Sequence, residues 1–98
     1  MDRHPDITPT HPGELLREDI LPEVAATKTA IAKSLGISRQ QFYAILRCEQ
    51  PVTAPTAIRL GKLFGNSPQF WMNMQSAYDL AIASKSVDVS EIKTLEVA

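Results

Sequence analysis

Apolar residues recur at helical spacing along most of this chain, in blocks separated by proline, glycine and capping residues. Leu15, Leu16, Ile20 and Leu21 form a first amphipathic face. Ile31 and Leu35, then Ile37, Phe42 and Ile45, form a second and a third. Ile58, Leu60, Leu63 and Phe64 give a fourth, and Phe70, Trp71, Met74, Ala77, Tyr78, Ala81 and Ile82 a broad fifth stripe. The breaks agree with that division. Pro12 and Glu14 suit a helix start, and Pro22 stops the first helix. Thr27, Ser38 and Thr53 stand where N-caps are needed. Gly36 and the pair Gly65-Asn66 stand where helices end, and Ser67-Pro68 opens the last one. The pattern predicts helices over residues 12–21, 28–35, 39–47, 54–64 and 68–84, with no strand. In the tail, Asp88 or Ser90 is placed to cap a short helical turn through Ile92 and Leu95.

The stretch from residue 27 to 47 is the most informative. Two short helices join through a tight turn at Gly36, which needs a left-handed residue. Ile31, Leu35, Ile37, Phe42 and Ile45 bury one common face, and Ala32 is small where the helices cross. That is the pattern of a helix-turn-helix, whose second helix enters the DNA major groove. The face of the second helix opposite Phe42 and Ile45 carries Ser38, Arg39, Gln40, Tyr43, Ala44 and Arg47. Arg39 can read guanine and Gln40 adenine by bidentate hydrogen bonds. Tyr43 and Ala44 can meet thymine methyls, or Tyr43 a phosphate. Lys28 and Thr29 open the first helix of the pair, where free amides face the DNA backbone, and Thr53 is a further phosphate candidate. Arg47 has a second reading, an ion pair with Glu49 or an N-terminal carboxylate. Gln41 points to the edge of the core.

The net charge of −1 hides a strong segregation. Residues 1–23 hold six acidic and two basic groups, residues 24–64 six basic and one acidic, and residues 65–98 two basic and four acidic. The positive segment is the one with the helix-turn-helix, and phosphate contact follows local potential. Solvated helix faces are the alternative reading of the same charges. With 98 residues the chain makes one small domain that buries about two-thirds of its unfolded surface. Cys48 is the one cysteine, so no intramolecular disulfide forms, which fits a reducing cytoplasm. No apolar run approaches the roughly 18 residues of a membrane span. His4 and His11 are poorly spaced for a metal, and no cofactor is expected. Trp71 and its stripe read as core or dimer contact. With no phosphate-binding glycine loop, metal cluster or nucleophile–base pair, an enzyme is not expected.

Five helices with this turn chemistry resemble the Cro/C1-type, lambda-repressor-like helix-turn-helix superfamily. The motifs His11-Pro-Gly-Glu-Leu-Leu-Arg-Glu18, Ile31-Ala32 through Gly36-Ile37-Ser38-Arg39, and Val52-Thr53 through Ala57-Ile58-Arg59-Leu60 narrow the match. So does Ser67-Pro-Gln-Phe-Trp-Met-Asn-Met-Gln-Ser-Ala-Tyr-Asp-Leu80. Together they cover about residues 11–82 and resemble the HigA (VapI-like) antitoxins of bacterial toxin–antitoxin modules. One position departs: the family usually has glycine after the recognition helix, and this chain has Cys48.

The resemblance implies a five-helix all-α DNA-binding domain over residues 12–84, preceded by an N-terminal arm at 1–11 and followed by a tail at 85–98. It implies a transcriptional repressor of its own operon that also neutralises a RelE/HigB-like toxin, typically a ribosome-dependent mRNA endonuclease. The expected partners are double-stranded operator DNA carrying an inverted repeat, the cognate toxin, and a second copy of the chain. Tyr78, Ile82, Val87, Val89, Ile92 and Leu95 remain free for that homodimer. A stand-alone regulator without a toxin, or an adaptor that has lost DNA binding, are the other readings.

Overall fold

Five helices follow one another, with no strand among residues 8–97, the residues that the computed structural model describes. The arm positions 1–7, His4 among them, and position 98 lie outside the described residues. The helices are α1 (Pro12–Leu15), α2 (Lys28–Leu35), α3 (Arg39–Leu46), α4 (Ala54–Phe64) and α5 (Pro68–Ala83). α1 does not run on as a regular helix to residue 21. It widens into a π turn over Leu16–Ile20 and tightens into a 3-10 turn over Leu21–Glu23. Pro22 is the physical reason. Its ring has no N–H to donate and would collide with the carbonyl four residues back in a straight α-helix.

The predicted caps hold at five helix starts and ends, Gly36 included. The hydroxyl of Thr27 accepts from the Ala30 amide at 3.1 Å, and that of Ser38 from the Gln41 amide at 3.0 Å. Ser67 does the same for Phe70 at 3.1 Å. Gly65 is left-handed at φ 75°, and its amide and that of Asn66 both close on the Gly61 carbonyl. Thr53 precedes α4 but does not cap it. Its hydroxyl turns instead to Thr56 Oγ1 at 3.4 Å. α1 is capped by an unforeseen group, the ring of His11, whose Nδ1 accepts from the Gly13 amide at 2.8 Å.

The core gathers Leu16, Ile31, Ala32, Leu35, Phe42, Ile45, Leu46, Val52, Ala57, Leu60 and Trp71. Of the expected helix-turn-helix face, only Ile37 is merely half-buried. α4 turns differently from the expectation. Thr56, Ala57, Leu60 and Gly61 are buried, with Phe64 half-buried, whereas Ile58 is 60% and Leu63 40% exposed. The helical period decides this: positions 57, 60, 61 and 64 share one face, and Ile58 and Leu63 fall on its two flanks. On α5 the fully buried residues are Trp71 and Gln75. Met74, Tyr78 and Ala81 are half-buried, while Phe70, Ala77 and Ile82 are exposed. Gln41 is exposed rather than at the core edge.

The tail makes no helix. Asp88 Oδ1 accepts from the Ser90 amide at 2.9 Å, and Ile92 N closes one turn onto Val89 O at 3.0 Å. The Ser90 bonds hold the Asp88 carboxyl below its ordinary pKa. A few β-branched residues with nothing to pack against do not nucleate a helix. Residues 82–97 are exposed throughout.

Trp71 is completely buried, packs edge-on against Phe70 at 5.2 Å, and donates from Nε1 to Asn66 Oδ1 at 2.7 Å. It is core. Trp71→Ala is expected to cost about 3–5 kcal/mol of folding stability. Denaturant or thermal melts measure this, and a shift in midpoint of under about a degree would contradict the burial.

Candidate nucleic-acid interface

The α2–α3 unit is built from its ends inward. Thr27 starts α2. At its far end Gly36 takes φ 75° and ψ 26°, which glycine reaches without strain. The Gly36 amide bonds the Lys33 carbonyl at 3.0 Å, and the Ile37 amide reaches back to the Ala32 carbonyl at 3.1 Å. This paired closure terminates α2 and sends the chain into Ser38, which caps α3.

α3 presses Phe42, Ile45 and Leu46 into the core. Ser38, Arg39, Gln40 and Arg47 are exposed, and Tyr43 and Ala44 are half-buried on the same outer face. Lys28 and Thr29 are exposed at the start of α2. The Lys28 ammonium lies 6.0 Å from the centroid of the Tyr43 ring, so the start of α2 and the outer face of α3 meet there. Thr53 is exposed at the entry to α4. The Arg47 guanidinium pairs with the Glu49 carboxylate at 3.0 Å, one of its two expected roles. That pair is solvent-exposed and contributes little stability.

Several residues that fix this surface were not foreseen. Gly13 packs so close to α3 that a Cβ there would overlap the Ile45 carbonyl oxygen. Arg17 donates to the carbonyl of Leu46, the last residue of α3, while its Nε holds Glu18 at 2.7 Å. A cation at a helix C-terminus also complements the helix dipole. Gln75 accepts from the Val52 amide at 2.8 Å and donates to Asp79 at 2.9 Å, tying the loop after α3 to α5. The available signal for Gln75 was a polar residue one turn after Trp71 on the buried face. His11 rests edge-on against Tyr78 at 4.9 Å. Burial pushes its pKa below the ordinary value, while the Asp79 and Glu14 carboxylates pull it back up. The neutral ring keeps Nδ1 free to cap α1.

α3 ends as α2 does. The Cys48 amide bonds the Ile45 carbonyl at 2.9 Å and the Glu49 amide the Ala44 carbonyl at 2.9 Å. Cys48 takes φ 62°, the one left-handed non-glycine among the described residues.

No protein-family model matches the sequence. Individual relatives do. Virulence-associated protein I of Dichelobacter nodosus is 44% identical over 75 residues, covering 76% of this chain and 69% of that protein. The antitoxin HigA of Pseudomonas aeruginosa, solved with the higBA promoter, is 44% identical at a TM-score of 0.76, over 80% of this chain and 85% of that one. An addiction-module antidote protein of the HigA family from Coxiella burnetii is 37% identical at a TM-score of 0.82, over 92% of this chain and all of its own length. The chain belongs to the HigA family. The all-α, five-helix fold expected from that resemblance is the fold observed.

Within this HigA-type fold, Cys48 keeps the left-handed turn despite a side chain that costs about 1–2 kcal/mol there. Cys48→Gly is expected to raise stability by about 0.5–1 kcal/mol, the relief being partly offset by the freedom glycine gains in the unfolded chain. Cys48→Val, β-branched at positive φ, is expected to lower it by about 1 kcal/mol or more. Paired urea melts of the two variants check the sign of each change.

Proposed function

We propose that this protein is a sequence-specific DNA-binding repressor of its own operon and the antitoxin of a HigB/HigA-type module. The observation that carries this reading is the capped α2–turn–α3 unit, whose outer face joins Ser38, Arg39, Gln40, Tyr43 and Ala44 to Lys28. Likeness to a HigA solved with its promoter supports it. The protein acts by binding, not by catalysis. Arg39 reads a guanine and Gln40 an adenine; Ala44 meets a thymine methyl, and Tyr43 a methyl or a phosphate. Ser38, Lys28, Thr29 and Thr53 hold the phosphate backbone, and Arg47 joins them by leaving Glu49. No helix among the described residues is long and apolar enough to cross a membrane, which suits action at DNA in the cytoplasm. The second partner is a RelE/HigB-like mRNA endonuclease, which the antitoxin neutralises.

One recognition helix covers only a few base pairs. Two copies related by a two-fold axis, reading half-sites about one helical turn apart, solve that problem. The domain is then residues 12–84, and the outer face of α5 together with the tail from 85 carries the dimer contact. The exposed apolar side chains of Leu80, Ile82, Val87, Val89, Ile92 and Leu95 support this assignment.

Arg39→Ala is expected to weaken operator binding by roughly 1–3 kcal/mol and to relax preference at one base pair. Lys28→Ala is expected to weaken all sequences alike and to lower the salt slope by about one. Gel shifts against the promoter and a scrambled duplex at several salt concentrations separate the two. Unchanged operator affinity in Arg39→Ala would remove it from the reading face. Truncation after Ser84 is expected to weaken dimerisation and operator binding together and leave a folded monomer, as seen by sedimentation and circular dichroism. Full-length protein that sediments as a monomer yet binds its operator normally would overturn the dimer.

A further inference from the structure

Arg59 lies on α4, outside the surface assigned above to DNA. Its side chain runs across the groove between α4 and α2, beside Ser34, Leu35, Ile58 and Leu63. Nη1 donates to the carbonyl oxygen of Leu35 at 2.8 Å. Leu35 is the last residue of α2, and its carbonyl is among those that an α-helix leaves without an internal partner. The turn that follows satisfies others: Gly36 takes Lys33 and Ile37 takes Ala32. Arg59 takes Leu35.

The next residue makes the contact more than a cap. A Cβ on Gly36 would run into the same Nη1, so the guanidinium fills the space beside the turn that aims α3. α4 is itself anchored, with Ala57 and Leu60 at 0% and 1% exposure in the core. A path of contacts therefore leads from the core through α4 and the Arg59 hydrogen bond to the end of α2, and three residues further to Ser38 at the head of α3.

From this geometry we infer that Arg59 is a positioning residue for operator recognition, one that sets discrimination between sequences rather than general affinity for DNA. The inference rests on the DNA-binding reading above. Bidentate contacts to base edges need side chains placed to within about 0.5 Å and 10–20°. Contacts to phosphate from a long, flexible lysine side chain tolerate a small tilt, and phosphate contacts carry no sequence information. Loosening the end of α2 therefore degrades base reading first.

The test compares wild type with Arg59→Met, which keeps an apolar stem and loses the donor, and Arg59→Lys, which keeps the charge and loses the planar fork. Each full-length protein is titrated with its own promoter fragment and with a scrambled duplex over a range of salt. Amide hydrogen exchange is followed at Gly36 and Ile37, with Gly65 and Asn66 as the control turn. Arg59→Met is expected to lose about tenfold in the ratio of promoter to scrambled affinity. Its scrambled affinity and salt slope should stay at wild-type values, with faster exchange at Gly36 and Ile37 only. Arg59→Lys is expected to move in the same direction with its slope unchanged, and it carries the test if the methionine variant does not fold. An unchanged ratio in the folded variants overturns the inference alone. A uniform loss on both duplexes, with the Arg59→Met slope lower by about one, also overturns it, because Arg59 is then a phosphate contact. A wild-type protein with no preference for its promoter overturns the functional reading and this inference together.

Discussion

An α-helix of eight residues does not hold together in water by itself. α2 and α3 are both eight residues long, and the proposed reading surface lies on them. Much of the surrounding fold answers that constraint. Phe42, Ile45 and Leu46 anchor α3 from beneath. Ser38 and the left-handed Gly36 define its start, while Arg17 and the left-handed Cys48 define its end. Gln75 then stops the following loop from pulling away. The outer face of α3 is free for another molecule because its stability is supplied from behind and from both ends.

Electrostatics follows the same division. The positive middle segment of the chain does not deliver all its charge to one surface. Arg59 is bonded to a helix carbonyl, and Arg47 is drawn to Glu49. Arg17 works in reverse: it belongs to the acidic N-terminal segment, yet it brings a positive charge to the end of α3. The local potential near the reading helix therefore depends on where side chains fold, and a count along the sequence only approximates it.

The same distinction explains how much of the molecule was legible beforehand. Turn chemistry acts over three or four residues, so Thr27, Gly36, Ser38, Gly65 and Ser67 could be placed from neighbours alone. The outward register of Arg39 and Gln40, with Tyr43 and Ala44 half-buried beside them, followed from the buried pair Phe42 and Ile45. The bonds that hold the reading surface act over longer spans. Arg17 reaches 29 residues to Leu46, Arg59 reaches 24 to Leu35, and Gln75 reaches 23 to Val52. No local pattern announces them. Ile58 and Leu63 depart from the expectation for a simpler reason: hydrophobic character and helical period disagree there, and the period decides. The His11 cap was hidden because imidazole seldom serves as one, and the tail because capping residues alone do not make a helix.

The contact between Gly13 and the Ile45 carbonyl bears on how such a protein can diverge. Backbone meets backbone there, with no flexible side chain to yield. The acidic residues around it on the first helix, Glu14, Glu18 and Asp19, face solvent, so a substitution at any of them leaves that contact untouched. Position 13 cannot drift without lifting the first helix from the third and tilting the reading surface. Exposed side chains on the first helix and on the outer face of α3 can thus change independently of one another, on either side of one residue that admits no side chain.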